Sequence, residues 1–220
     1  MSTRTLTSVI TATPFRVSFF GGGTDVPGYF NRRGGLVIGS AIRQYSYVAL
    51  NSLPRLLQKR FRISYSMLEQ VDRIEEIRHD IARETLAEYR SLLRDDFVDL
   101  HSYADLPAAS GIGSSSAFAV GMVNALHALN GLYLPPQELA RRAIHIERTR
   151  MQEVGGWQDQ ILSAFGGFNL VRFQENTFEI SPLAIGGPLR DAIERSCWLY
   201  FTALQRSSAA VQQVSFSTDN

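Results

Sequence analysis

The stretch "DLPAASGIGSSSAFAVGMVNAL", residues 105–126, constrains the chain more than any other segment. It runs from an acidic start through Pro107 and two glycines into three serines, then into an almost wholly apolar run. Ser114 to Leu129 is apolar nearly all round, which predicts a helix buried on every side, with Asn130-Gly131 as its C-terminal stop. Packing then fixes where the N-terminus of that helix lies. The loop ahead of it admits two readings. It can be a tight turn whose serines cap a core helix. Alternatively, Gly111 and Gly113 let an anion approach the backbone while Ser114 to Ala117 present unpaired N–H groups at the positive end of the helix dipole. The P-loop lysine and the G-x-G-x-x-G fingerprint are both missing, so the loop alone does not choose between them.

Composition excludes more than it assigns. The 220 residues suffice for one large or two small domains with a sizeable core. A balance of 22 basic and 21 acidic side chains, net charge +1, gives no electrostatic reason to expect nucleic acid or an anionic membrane as a partner. Cys197 is the only cysteine, and "MSTRTLTSVI" holds no apolar core of signal-peptide length, so a reducing cytoplasm is the expected setting. The longest apolar stretch, Ala117 to Val123, is far short of the ~20 residues that cross a bilayer.

Along the chain, Thr7 to Phe20 favours strand and stops at three glycines. Leu36 to Leu50 predicts a long strand or a strand pair with Gly39 as a bulge, and Phe61 to Tyr65 a short strand. In "MLEQVDRIEEIRHDIARETLAEYRSLL" the spacing of Val71, Ile74, Ile77, Ile81 and Leu86 predicts one or two helices. Phe97 to Tyr103 alternates as a strand. A helix after Pro135-Pro136 carries Leu139, Ala143, Ile146 and Arg150 on one face, another follows Gly155-Gly156, and strands are expected at Phe168 to Phe173 and Cys197 to Ala203. Strands at the two ends with helices clustered between them predict an α+β fold.

Three acidic residues and one arginine stand out. Glu147, beside the apolar stripe of "AIHIERTR", is either a magnesium ligand together with Ser115 or a solvated partner of Arg142, Arg148 or Arg150. Asp159 in "VGGWQDQ" is either a base facing a cavity or a helix N-cap. Arg16 lies in an apolar strand and needs a partner, Asp159 or a phosphate, while Asp25 follows the glycines. The four histidines fall at no metal-ligand spacing and read as structural.

Taken together, "TPFRVSFFGGGTD", "DLPAASGIGSSSAFAVGMVNAL" and "GGWQDQ", in that order, resemble the GHMP kinases. The segments "ISYSMLEQVDRIEEIRHDIARETL", "GGFNLVRF" and "LYFTALQRSSAAV" are similar to the branch that acts on D-glycero-D-manno-heptose 7-phosphate. The resemblance implies an N-terminal domain like domain 2 of ribosomal protein S5 over residues 1–190, with 191–220 only the start of a ferredoxin-like second domain. It implies that ATP lies along Pro107, Ala109, Gly111, Gly113, Ser114, Ser115 and Ser116, and that Ser115 and Glu147 hold Mg2+. Asp159 is then the residue that takes or orients the acceptor hydroxyl proton, with Arg16 supporting the charge. Gly22, Gly23, Thr24, Asp25, Gly155, Gly156, Gln158 and Arg206 are expected on the sugar-phosphate side. Galactokinases carry Glu-His where this chain has Gly22-Gly23, which argues against galactose. The alternatives are a fucose-type sugar-1-kinase and a non-catalytic remnant that binds nucleotide or sugar; a homodimer is a further expectation.

Overall fold

The computed structural model describes residues 6–53, 59–93, 97–107 and 111–200. Ala109 and Arg206 therefore lie outside the described residues. Seven strands form one sheet: β1 (Ser8–Phe20), β2 (Gly35–Leu53), β3 (Phe61–Ser64), β4 (Leu68–Val71), β5 (Phe97–Ala104), β6 (Phe168–Gln174) and β7 (Thr177–Pro182). Its order is β4-β3-β5-β2-β6-β7, with β1 paired to β2. Every pairing is antiparallel except β3 with β5. Six helices complete the described residues: α1 (Pro27–Arg33), α2 (Asp80–Glu88), α3 (Ser114–Leu129), α4 (Pro136–Ile144), α5 (Gln158–Phe165) and α6 (Gly187–Ser196). This is the α+β class expected from the order of elements.

β2 is the spine of the sheet and a single strand. β1 runs along it from Ser8 opposite Asn51 to Phe20 opposite Ile38, while β6 takes Gly35 to Ser40 and β5 takes Ser46 to Leu53. Its buried positions change phase, from Val37 and Gly39 to Ser46, Val48 and Leu50. The two register irregularities against β1 lie in this region; at the second, Ser18 faces Gly39 and Phe20 faces Ile38, so the extra residue is Phe19 of β1, opposite the glycine expected to bulge and not the glycine itself. Gly39 has a packing reason, because a Cβ there would come 2.4 Å from Leu162 Cδ1 on α5.

The main core lies between the sheet and the helices. α3 packs on β1 and β2 and is flanked by α2, α4 and α5. Twelve of its residues are buried, so its apolar character on all sides is used. Gly121 allows its closest approach to the sheet: Thr11 Oγ1 donates to the Gly121 carbonyl at 3.0 Å, and a Cβ on Gly121 would stand 2.8 Å from Thr13 Oγ1.

Two expectations need correction. The stretch from Met67 holds β4, a 3-10 turn at Ile74–Glu76 and only then the nine-residue α2. Ile74, Ile77, Ile81 and Leu86 are all buried, but from a turn, its exit and a helix in succession, so an approximately helical spacing arose without a continuous helix. Glu69 fixes the arrangement by accepting the N–H groups of Arg78 and His79, at 2.6 and 3.1 Å. At the other end, Cys197 to Tyr200 form no strand and Trp198 is 78% exposed, while residues 201–203 lie outside the described set. β7 and α6 carried no expectation, and α6 spans the anticipated boundary between 190 and 191. No helix among the described residues is long and apolar enough to cross a membrane.

Overpacking at the α3 seat provides a test of the fold. Gly121→Val should destabilise the protein by about 1–3 kcal/mol, read as a lower denaturant midpoint with an unchanged slope. Gly28→Ala, where a Cβ meets nothing within 4 Å, should stay within about 0.5 kcal/mol of the parent chain.

Candidate active site

The glycine loop and the start of α3 are built as an anion seat requires. Gly111 and Gly113 have φ of 78° and 77°, which side-chain-bearing residues rarely adopt. Gly113 is the N-cap and no side chain caps the helix, which corrects the reading of the serines as caps. The N–H of Ala117 bonds to the Gly113 carbonyl at 2.9 Å, so the groups left without a helical partner are those of Ser114, Ser115 and Ser116, not four as expected. Ser115 is exposed and Ser116 is buried.

Arg16 and Asp159 meet at this loop. Arg16 Nε donates to Asp159 Oδ1 and Nη2 to Oδ2, both at 2.7 Å, a two-pronged pair in which charge and geometry reinforce each other. Nη1 donates to the Gly111 carbonyl at 3.1 Å, and the Arg16 N–H to Ile112 O at 3.3 Å. A Cβ on Gly113 would lie 3.3 Å from Asp159 Oδ2 and 3.4 Å from Arg16 Cγ. The carboxylate, the guanidinium and the loop therefore touch one another. The N-cap of α5 is Trp157, so Asp159 is not a cap and belongs to the first turn.

Glu147 is not solvated. It is 1% exposed, accepts from Ser116 Oγ at 3.1 Å, and is held by Gln160 Nε2, which also donates to Ser116 Oγ at 3.0 Å. The cause is local: residues His145–Arg150 form a π-helical segment, with the Met151 N–H reaching back to Ile146 O. The wider turn rotates the side chains away from the positions an α-helix would give them. Burial pushes the Glu147 carboxyl up to about 7, against the pull of Arg148 and of its two hydrogen-bond donors. Gln160 Oε1 is buried with no partner, so a carboxylate, a hydroxyl and an unpaired amide oxygen sit together. Hard oxygen donors of this kind fit a magnesium ion that completes its shell with water and phosphate. The neighbour of Glu147 in this network is Ser116, whereas Ser115 faces the cavity described below.

The third carboxylate braces the opposite wall. Asp25 is 2% exposed and accepts the N–H groups of Gly23 and Gln158, each at 3.1 Å. A Cβ on Gly156 would fall 1.8 Å from Asp25 Oδ2, which explains the glycine. Burial raises the Asp25 pKa, and the negative charge of Asp159 adds to the rise while backbone N–H groups oppose it. Thr24 Oγ1 donates to Gly21 O at 2.7 Å and accepts the Leu36 N–H at 3.1 Å, so its hydroxyl fastens the glycine loop to β2. Beside it, a Cβ at Gly23 would meet nothing within 4 Å, and one at Gly22 would meet only Ser18 Oγ and Gln158 Nε2, at 3.7 and 3.8 Å. The expected substrate-side residues that lie among the described ones are thus gathered, and Arg206 lies outside the described residues.

A cavity of about 320 Å³ opens beside the α3 N-terminus, lined by Ser114, Ser115, Phe118, Tyr65, His79 and Tyr103 among others. His79 packs edge-on to Tyr65 with ring centroids 4.8 Å apart, and its Nδ1 accepts the Ala82 N–H at 3.4 Å as the cap of α2. Gln160 and His79 were not singled out for the site. Gln160 was legible only as the second glutamine flanking Asp159, and His79 had no spacing signal at all. Among the described residues no cluster of three or more His, Cys, Asp or Glu side chains could hold a metal ion.

The buried Glu147 makes stability depend on pH. Below its ordinary value of 4.5 the carboxyl is protonated in both the folded and unfolded chain. Between 4.5 and about 7 the unfolded chain loses a proton that the folded one keeps, so stability falls as pH rises; above that window the loss is complete. Its full size is roughly 3 kcal/mol. Glu147→Gln should gain on the parent as pH rises from 5 to 8 in metal-free denaturation curves, the pH dependence left in the variant being that of the other titrating groups. A constant difference between the two proteins would show that Glu147 does not carry the effect.

Sequence and fold are both similar to those of known proteins. Residues 77–167 match the family model for the GHMP kinases N terminal domain, a span that holds the glycine loop, Glu147 and Asp159. The D-glycero-alpha-D-manno-heptose 7-phosphate kinase of Campylobacter jejuni is 30% identical over 94% of this chain and 63% of its own length. The bifunctional fucokinase/GDP-fucose pyrophosphorylase of Arabidopsis thaliana is 24% identical over 88% of this chain and 20% of its own length. A crystal structure of a D-glycero-D-manno-heptose 1-phosphate kinase from Bacteroides thetaiotaomicron superposes with a TM-score of 0.72 at 28% identity, covering 83% of this chain and 62% of that one. The chain thus spans less than two thirds of the length of each of these relatives. Residues 77–167, with the glycine loop, Glu147 and Asp159 among them, thus match a GHMP kinases N terminal domain.

Proposed function

We propose that this chain is the nucleotide-holding part of a sugar kinase that transfers the γ-phosphoryl group of ATP to the anomeric hydroxyl of D-glycero-D-manno-heptose 7-phosphate. The observation that carries the reading is the direct contact of the Arg16–Asp159 pair with the glycine loop, Arg16 Nη1 lying 3.1 Å from the Gly111 carbonyl. A donor phosphate on that loop and an acceptor hydroxyl on Asp159 would then be neighbours, and proximity of this kind is the main contribution a protein makes to phosphoryl transfer.

In this reading the N–H groups of Ser114, Ser115 and Ser116 hold the phosphate chain, and the cavity bounded by Phe118, Tyr65 and His79 accepts the nucleoside. Asp159 orients the acceptor hydroxyl and takes its proton as the new oxygen–phosphorus bond forms and the bond to the β-phosphate oxygen breaks, releasing ADP. Arg16 keeps that carboxylate in place. Magnesium, when bound, supplies neutralisation of the phosphate charge, and Glu147 is the residue that would hold it, with Ser116 and Gln160 Oε1 beside the carboxylate and Ser115 on the cavity side. The open ground at Gly22 and Gly23, with Gln158 at its rim, receives the sugar. A domain contributed mainly by residues 1–190, with a second beginning at 191, is part of the same proposal.

The two heptose kinases above differ in the phosphate position their names carry, and the position of the new phosphate decides between them. Incubation with ATP, magnesium and heptose 7-phosphate should give ADP and the 1,7-bisphosphate by phosphorus NMR, with fucose and galactose as comparison acceptors. Asp159→Asn should lower turnover about 10²-fold or more while calorimetric ATP binding survives. Parent-level turnover in that variant would remove Asp159 from the chemistry, and preferential use of fucose would replace the heptose reading.

A further inference from the structure

The segment that carries Asp159 into the site, residues 152–157, is a loop anchored in the core by Trp157, which packs edge-on to Phe30. Gln152 sits at a φ of 57°, and Gln152, Glu153 and Val154 are exposed. Asp25 and Arg148 hold its polar backbone from opposite sides. Asp25 accepts the Gln158 N–H through its carboxylate and the Trp157 N–H through its backbone carbonyl, each at 3.1 Å. Arg148 holds the other side: Nε and Nη2 donate to the Gly156 carbonyl at 3.2 and 3.0 Å, and Nη1 to the Glu153 carbonyl at 3.5 Å. Its guanidinium lies against Gly155 so closely that a Cβ there would stand 2.8 Å from Cζ. The double glycine is therefore explained on both sides, Gly155 by the arginine plane and Gly156 by the Asp25 carboxylate.

Arg148 is also the next residue after Glu147 on the π-helical segment, and the Glu153 N–H bonds back to the Glu147 carbonyl at 3.0 Å. The same widened turn thus presents one side chain to the Ser116–Gln160 network and the next to the loop that delivers Asp159. We propose that Arg148 is the positioning residue of the acceptor side: by clamping residues 153–156 to the π-helical segment it fixes the distance between Asp159 and the phosphate-holding loop. Only a planar, five-donor group can cover Gly155 and share two donors with one carbonyl, so lysine is not a substitute. The inference rests on the kinase reading above.

The test uses the 220-residue chain with Arg148→Ala and Arg148→Lys. Both should lose about 10- to 100-fold in kcat, the size expected when a reacting group is displaced by an ångström or less, with KM for ATP changed little. Millimolar guanidinium should restore part of the kcat of Arg148→Ala and none of that of Arg148→Lys. Amide hydrogen exchange should quicken at Trp157 and Gln158 in both variants while α3 stays protected. Parent-like kcat in Arg148→Ala overturns the proposal, as does a loss that guanidinium leaves untouched and that comes with faster exchange throughout the chain. If the parent chain transfers phosphoryl to no acceptor, the kinase reading fails, and exchange decides the role of Arg148: selective loss at Trp157 and Gln158 supports the clamp, and unchanged protection there overturns it.

Discussion

The approach of α3 to the sheet at Gly121 governs the rest of the molecule. Thr11 and Thr13 on β1 meet that glycine, and Thr11 bonds to its carbonyl, so helix and strand are locked along one line. The next buried side chain along β1 after Thr13 is Phe15, which packs with Ile112 and Ala117, and the residue after that is Arg16. Fixing α3 against β1 therefore also fixes Arg16 against the glycine loop. Burial on all sides removes the freedom a surface helix would have to slide or rotate, and the three N–H groups at its start inherit that fixity.

The site gathers three carboxyl groups before any ligand arrives. Asp25, Glu147 and Asp159 come from three different segments, and two of them are almost fully buried. Each is stabilised differently. Asp159 has the Arg16 fork, Asp25 has backbone N–H groups, and Glu147 has a hydroxyl and an amide with Arg148 nearby. A buried carboxyl without a paired cation is held towards its neutral form by desolvation, and a nearby divalent cation reverses that preference. Charge at Glu147 and occupancy by a cation are thus two aspects of one equilibrium. Asp25, 2% exposed and engaged by the backbone, acts in this arrangement as a brace for the 155–158 turn.

Local signals in the chain were legible wherever one element made its own case. The bounds of α3, the α5 helix after the double glycine and the long β2 strand follow from apolar pattern and glycine placement alone. The stretch from Met67 misled because Ile74, Ile77 and Ile81 serve a turn, its exit and a helix with the spacing of one helix. What ends β4 and turns the chain is Glu69 accepting two backbone N–H groups nine and ten residues away, which no local window contains. At Cys197 to Tyr200 a run of apolar and aromatic residues suggested a strand, but strand formation needs a partner edge, and none is there among the described residues.

Residue order alone sets the local form of the loop ahead of α3: two glycines that can take positive φ, three small residues after them, and a helix apolar enough to be buried. It also marks Arg16 as needing a partner, Asp159 or a phosphate, since an arginine in an apolar strand cannot stay alone. The fold selects Asp159 as that partner. Arg16 and Asp159 are 143 residues apart, and Ser116, Glu147 and Gln160 come together from α3, the π-helical segment and α5. The case of Glu147 gives the physical reason. Its place on the helix surface depends on a π-helical turn, and burial there depends on Ser116 and Gln160 supplying the hydrogen bonds that a buried carboxyl requires. Hydrophobic pattern is written residue by residue, whereas the satisfaction of buried polar groups is settled only when distant segments meet.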